Sequence, residues 1–304
     1  MDNGQYYSFN KYLRDTFGVK VRRICLDAGF GCPNKDGTLG TGGCIYCNER
    51  GFSPLSGEKL LLEEQIDAAI RYHKENRTAD KFIAYFQNAT NTYAPVGELR
   101  NVYDVIRGYQ EIVGLYISTR PDCADGETLD LVASYMPDYE VWVEYGVQTA
   151  HDRTLQLLNR CHLYADSVKA IKMAHDRGIK VCVHVMLGLP SESRDDMVST
   201  ARELSLLPVS GIKIHVMHVL AGTRLAELYR TGAVRLMSED EYVGAVCDLL
   251  ENIRPDIVIM RLVSDANRDV LIAPNWINNK LSVINHIEKE LSARGTCQGF
   301  NTGC

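Results

Sequence analysis

Short apolar, β-branched runs recur along this chain, and each is followed by a polar cluster and then by a stretch with apolar positions three and four residues apart. VKVRRICLDA (19–28), KFIAYF (81–86), GLYIST (114–119), YEVWVEYG (139–146), IKVCVHVML (179–187) and IKIHVMHVL (212–220) read as strands. Helices are predicted over 60–77, 97–112, 125–135, 152–159, 164–177, 193–206 and 222–231. In the first of these Leu62, Ile66, Ala69 and Ile70 make one apolar stripe, and Gly178 supplies a left-handed stop after 164–177. Alternation of this kind predicts an α/β chain with a parallel sheet and helices outside, and six consecutive units predict a barrel or partial barrel. The alternative is a doubly wound sheet, but no G-x-G-x-x-G follows the first strand.

In a barrel the chemistry gathers where strands end. DAGFGC, QNATNTY, STRPDC, EYGVQTAHD, LGLPSES and HVLAGT follow the six strands in turn, and they hold the unusual polar residues of the chain. Beyond residue 236 the pattern changes. Ser238 and Glu241 form a capping box, flanked by Met237 and Tyr242 as a hydrophobic staple, and open a helix to about residue 253. Strand IVIMRLV (257–263) and a helix over 278–294 follow. The expected division is an N-terminal segment over 1–18, a barrel over 19–236 and an extension over 237–304 packed on the barrel. The tail, with Cys297 and Cys304, reads as a mobile terminus.

With 45% hydrophobic and 24% charged residues among 304, the chain has the make-up of a soluble globular protein. No apolar run reaches membrane-span length, and the first residues lack the features of a signal or transit peptide, so a cytoplasmic location and no membrane partner are expected. A net charge of -6 gives no global footprint for nucleic acid. Lys11, Arg14, Lys20, Arg22 and Arg23 make a local basic stretch that reads as solvated surface. His184, His215 and His218 lie on strands and read as core residues. His215 and His218 are an odd number apart, so at most one faces inward on a regular strand.

Cys32, Cys44 and Cys47 are separated by eleven and then two residues, with glycines at 37, 40, 42 and 43. Thiolates select zinc or iron–sulfur clusters. A structural zinc site is closed by four ligands, whereas three thiolates on an iron–sulfur cluster leave one iron open. The other readings are a zinc knuckle completed by Cys25, or three buried cysteines.

C-I-Y-C (44–47) resembles the tail of the C-x3-C-x-aromatic-C signature of radical S-adenosylmethionine (SAM) enzymes, with a first gap widened as in the branch of the Elongator catalytic subunit. LLNRCHLYADSVKAIKMAHDRGIKVCVHVMLGLPSES is similar to the matching region of the Elongator and oxygen-independent coproporphyrinogen oxidase families, which share L-x-R-x-H, a helix and G-L-P. Together with DAGFGCPNKDGT, YFQNATNTYAP, STRPDC, YGVQTAHD, HVLAGT and RLVSDANRDVLIAP, the chain resembles most closely the YhcC/YtqA-like group. That resemblance implies a partial (β/α)6 radical SAM barrel with a C-terminal α/β extension. It implies a 4Fe-4S cluster on Cys32, Cys44 and Cys47, with SAM chelated at the fourth iron and Tyr46 near the adenine. Gln87 and Asn88 stand where relatives carry G-G-E, and Ser118, Thr119, Glu144, Gln148 and Arg160 match positions that hold SAM in relatives. The implied reaction is reductive cleavage of SAM to a 5'-deoxyadenosyl radical, with an electron donor of flavodoxin or ferredoxin type. Kinship with the Elongator subunit makes a tRNA wobble uridine the first expected substrate. A small metabolite or porphyrin-like molecule is the second, and a non-enzymatic metal-binding scaffold is the reading from another class.

Overall fold

The computed structural model describes residues 4–48, 60–264 and 266–303, so residues 49–52 of the cysteine stretch and Cys304 lie outside the described residues. The strands are β1 (Val21–Leu26), β2 (Lys81–Phe86), β3 (Ile112–Thr119), β4 (Glu140–Gln148), β5 (Lys180–Leu187), β6 (Gly211–Val216), β7 (Val219–Leu220), β8 (Val258–Arg261) and β9 (Leu271–Ala273). The helices are α1 (Phe9–Phe17), α2 (Leu62–Glu75), α3 (Val96–Asp104), α4 (Gly126–Ala133), α5 (Asp152–Leu157), α6 (Tyr164–His175), α7 (Arg194–Ser205), α8 (Arg224–Arg230), α9 (Glu239–Glu251) and α10 (Lys280–Arg294).

The main sheet is seven-stranded and parallel, in the order β1-β2-β3-β4-β5-β6-β8. The six predicted β/α units are therefore present as a curled partial barrel. The extension does more than pack on this barrel: β8 pairs with β6 and supplies the seventh strand. The reason is chemical, since VIM presents apolar side chains to both faces, and here Ile259 is covered by the helix-side core and Val258 and Met260 by the interior core.

Alternation sorts each strand between two layers. Ile24, Phe82, Phe86, Leu115, Val143, Val183 and Ile214 face the helices in one large core. Fully burying each such side chain contributes about 1.5–3 kcal/mol. Ile83, Tyr85, Tyr116, Trp142, Cys182 and Met260 face the barrel interior. Within the N-terminal segment, α1 closes the N-terminal end of the barrel: Tyr12 and Leu13 join the interior core, and the Tyr12 ring meets Trp142 edge-on at 5.5 Å. Gly211 makes room for that tryptophan, because a Cβ there would lie 2.8 Å from the indole. The tail is also packed, contrary to the expected mobile terminus. Gln298 is buried and donates to the carbonyls of Arg254 (2.7 Å) and Ile257 (2.8 Å), while its Oε1 accepts from the Tyr7 amide.

Candidate active site

The cysteine loop leaves the C-terminal end of β1, and the eleven residues between Cys32 and Cys44 fold back on themselves. Asp36 and Thr41 form an antiparallel bridge, and the amide of Gly43 donates to the carbonyl of Asn34 at 2.8 Å. Residues 35–42 are thus a closed excursion. Without it, only Pro33, Asn34 and Gly43 separate the two cysteines, which is the three-residue gap of the ordinary signature. Gly42 and Gly43 turn the chain back with positive φ, at 78° and 72°, a region that costs other residues energy. The amide of Cys47 then donates to the carbonyl of Cys44 at 3.0 Å, closing the last turn.

Cys32, Cys44 and Cys47 line one side of a cavity of about 1020 Å³ at the strand ends. The sulfurs of a tetrahedral zinc site would lie about 3.8 Å apart. Among the described residues, the only trio of ligand atoms gathered within 4.8 Å is Glu144, Cys182 and His184, so the loop thiols are spread more widely than one zinc ion requires. That spread and the soft donor set fit a multinuclear cluster better than a zinc knuckle. Cys44 also receives hydrogen bonds on sulfur, from Arg160 Nη1 at 3.4 Å and Asn34 Nδ2 at 3.6 Å. Burial alone would raise its thiol, but the Arg160 charge and its hydrogen bond reverse the shift and hold the thiol below its ordinary value. Burial wins at Cys47, whose thiol is raised despite Lys35.

Arg160 ties the loop to the barrel. It follows α5, donates to the Tyr46 hydroxyl at 3.2 Å, and places Nη2 2.6 Å from the carbonyl of Gly146 on β4. A Cβ at Gly146 would lie 3.1 Å from that Nη2 and 2.9 Å from Gln148 Nε2, so a larger residue would displace the ends of both side chains. The β4–β5 register shifts between Tyr145 and Gln148, and Gln148 has a φ of 71°, a strained backbone of the kind concentrated at functional sites.

The remaining predicted residues divide. Tyr46, Gln87, Asn88, Ser118, Thr119, Gln148 and Arg160 all line the cavity with the cysteines. Gln87 accepts from the Cys25 thiol at 3.3 Å, Asn88 donates to Asp27 at 2.6 Å, and Thr119 shares a hydrogen bond with Thr92 at 2.6 Å. Glu144 does not line it. Its carboxylate lies beneath the floor with no solvent exposure, where Oε2 accepts from Lys213 Nζ, Tyr85 Oη (2.7 Å) and His184 Nε2 (2.8 Å). Burial would raise the carboxyl, but Lys213 and His184 hold it well below the ordinary 4.5. Burial lowers Lys213 to about 8 and His184 to about 4, so at neutral pH the lysine is charged and the imidazole neutral. An ammonium on the shared oxygen makes Glu144, Cys182 and His184 an ion-pair network and not a cation site.

Sequence reasoning missed several lining residues, four of which shape the chemistry of the floor and wall. Arg120 is buried, forks onto Asp122 at 2.9 and 2.7 Å and donates to the Arg160 carbonyl at 2.7 Å. Its signal was present, an arginine directly after the third strand. His215 and His218 both line the cavity, against the expectation that at most one could face inward. The ladder of β6 ends at Val216, so the period-two rule does not extend to His218. The fourth is Arg261 on β8.

Residues 30–204 match the model of the radical SAM superfamily, and 209–293 match its C-terminal domain. The chain is 40% identical to the protein YtqA of Bacillus subtilis over 97% of its own length and 92% of that protein's. It is 30% identical to the tRNA uridine(34) acetyltransferase of Methanocaldococcus infernus over 138 residues, which is 44% of this chain and a quarter (25%) of that one. The structure superposes on archaeal Elp3 from the same organism with a TM-score of 0.68 and 18% identity, covering 92% of this chain and 64% of Elp3. That likeness establishes the shared fold. From the family match over most of the barrel and the full-length similarity to YtqA, the chain belongs to the radical SAM superfamily.

Proposed function

We propose that this chain holds a 4Fe-4S cluster on Cys32, Cys44 and Cys47 and uses it to cleave SAM reductively inside the barrel mouth. The observation that carries the reading is the closed excursion over 35–42, which reduces the widened cysteine gap to an effective three residues beside a roomy cavity. When bound, the cluster supplies the electron that breaks a sulfur–carbon bond of SAM, giving a 5'-deoxyadenosyl radical that takes hydrogen from the substrate. The chain's own residues hold and orient. Arg160 and Asn34 donate to the Cys44 sulfur, a contact of the kind that tunes a cluster's potential. Gln87, Ser118, Thr119 and Gln148 offer hydroxyl and amide groups suited to the ribose and amino groups of SAM. Trp142, Tyr116 and α1 close the opposite end of the barrel against water.

Two substrate readings follow. A tRNA uridine is supported by the partial likeness to a tRNA uridine(34) acetyltransferase. A small molecule is supported by the position of the basic stretch: Lys20 and Arg22 open β1 and Lys11 lies on α1, at the barrel end opposite the cysteines, so this stretch does not border the mouth. Anaerobic reconstitution, reduction with dithionite and assay for 5'-deoxyadenosine test the core reading, with Cys44→Ala as the control. Product from the native chain and none from the variant is expected; a fully loaded native chain that yields none contradicts the cleavage reaction. Bulk tRNA added to the same assay separates the substrate readings, since only the RNA reading expects turnover to rise with it.

A further inference from the structure

β8 contains an irregularity with a chemical consequence. Ile212 pairs with Ile259, but the next residue, Lys213, pairs with Arg261, so Met260 is an extra residue in the ladder. In a regular strand Arg261 would follow Ile259 onto the helix-facing side, where the large apolar core lies. The bulge turns it inward instead, and it lines the same cavity as the cysteines. Bulges re-aim side chains in this way beside active sites.

The re-aimed guanidinium has no hydrogen bond or ion pair with another described residue. Its ladder neighbour Lys213 is paired with Glu144, and no described carboxylate pairs with Arg261. His215, two residues beyond Lys213 on β6, lines the cavity with Arg261; its Nε2 is buried with no partner among the described residues, and its ring lies 5.3 Å from that of His184. Across the cavity, Lys35, Arg120 and Arg160 add to the positive lining, against the single lining carboxylate of Asp27 among the described residues. An electropositive chamber in a chain of net charge -6 is not a by-product of composition. Arg120 and Arg160 have local partners in Asp122, Cys44 and Tyr46; Arg261 has none among the described residues.

We infer that Arg261, with His215 beside it, is the binding site for an oxyanion carried by the substrate, a carboxylate or a phosphate that enters the chamber and meets the guanidinium fork. The inference rests on the proposed function only in taking this cavity as the reaction chamber. It deepens that reading by giving the substrate a charge and an orientation: the anionic end lies on β8, and the hydrogen to be abstracted lies between it and the cysteine loop. A planar guanidinium suits either oxyanion bidentately, and burial at a cavity floor strengthens the contact.

The test uses cluster-loaded protein with SAM present and no reductant, titrated calorimetrically with malonate in one series and inorganic phosphate in another, at ionic strength fixed with chloride. Saturable binding of one probe, weakened at least tenfold in Arg261→Gln and partly restored in Arg261→Lys, is expected; the stronger probe identifies the oxyanion. Arg22→Gln, at the far end of the barrel, serves as the charge control and should bind as the native chain does. Absence of saturable binding, equal affinity in Arg261→Gln, or displacement of the probe by SAM each overturns the inference. Iron and sulfide analysis of the same samples keeps the two readings apart. Protein that binds malonate through Arg261 but assembles no cluster keeps this site and overturns the proposed cluster chemistry alone.

Discussion

Replacing Glu144 by glutamine asks how much of the barrel's stability depends on the ion pair under the chamber floor. Neither Glu144 nor Lys213 has any solvent exposure, and Tyr85 and His184 donate to the same carboxylate oxygen. Glutamine keeps the size and leaves the Lys213 ammonium buried without a counter-charge. Removing one member of a buried pair costs about 3–5 kcal/mol. An independent bound comes from the escape available to the lysine, which can shed its proton. From an ordinary value of 10.5, neutralisation at pH 7 costs about 4.8 kcal/mol at roughly 1.4 kcal/mol per pH unit. The two figures agree, so the loss should be near the upper end of the range. For a chain of 304 residues, where 1 kcal/mol corresponds to about 2 °C, Tm falls by about 6–10 °C. The assay is thermal unfolding followed by circular dichroism on cluster-free protein at pH 7 under reducing, anaerobic conditions. The pH dependence supplies the sign. Burial has lowered Lys213 to about 8 in the native fold, so it gives up part of its proton between pH 7 and 8 while the unfolded lysine keeps its own, and the native chain gains about 0.4 kcal/mol there. In the variant the lysine is already neutral when folded and charged when unfolded, so the variant gains about 1.4 kcal/mol over that interval, about 1 kcal/mol more than the native chain. The gap in Tm should therefore narrow by about 2 °C. Glu144→Gln combined with Lys213→Met should recover most of the loss. A single variant melting within about 2 °C of the native chain at pH 7, or a gap that widens toward pH 8, refutes the reasoning.

Two further predictions concern the loop and its anchor. Excising residues 35–42 leaves three residues between Cys32 and Cys44, and this shortened chain should still take up iron and sulfide on reconstitution to within about twofold of the native chain, a difference of about 0.4 kcal/mol in affinity terms. A shortened chain that binds no iron shows that the excursion does more than restore spacing. Gly146→Ala places a Cβ 3.1 Å from Arg160 Nη2 and 2.9 Å from Gln148 Nε2. It should load its cluster normally and form 5'-deoxyadenosine about tenfold more slowly, equivalent to about 1.4 kcal/mol of lost positioning. An unchanged rate means that the placement of Arg160 against β4 is not used.

Strands and helices were legible because each carries its own period. β2 begins and ends where KFIAYF does, and α9 opens at the predicted capping box, with Ser238 Oγ accepting from the Glu241 amide at 3.2 Å. The cysteine trio and most of the lining residues were legible because they follow strand ends in a repeating unit. What sequence did not reveal depends on partners distant in the chain. Nothing in FNKYLRDTF says that its tyrosine will meet Trp142 inside the barrel, and nothing in IVIMRLV says that it will complete the sheet beside β6. Glu144 was correctly placed on the fourth strand and assigned to SAM, yet the lysine and histidine that hold it under the floor come from two other strands. The tail looked mobile because the carbonyls that accept from Gln298 belong to residues more than forty positions earlier.

The chamber's chemistry sits where the regular ladder fails, and there is a physical reason for this. In a barrel wrapped by helices, strict alternation sends every second residue into an apolar layer, so a regular strand can present a polar side chain to the interior only at alternate positions. A site that needs more than this must insert a residue or end the strand. β4 shifts register between Tyr145 and Gln148, which brings Gln148 and the carbonyl of Gly146 to the cavity together. The ladder of β6 stops at Val216, which frees His218 to join His215. β8 inserts Met260 and turns Arg261 away from the helices. Each irregularity costs ladder hydrogen bonds and delivers a polar group to one cavity. Packing alone would not select three such departures on one side of a sheet, since the regular strand is better for the core at every one of them. The placement of Arg261 therefore calls for the same kind of explanation as that of Gln148: a ligand in the chamber that the side chain was turned to meet.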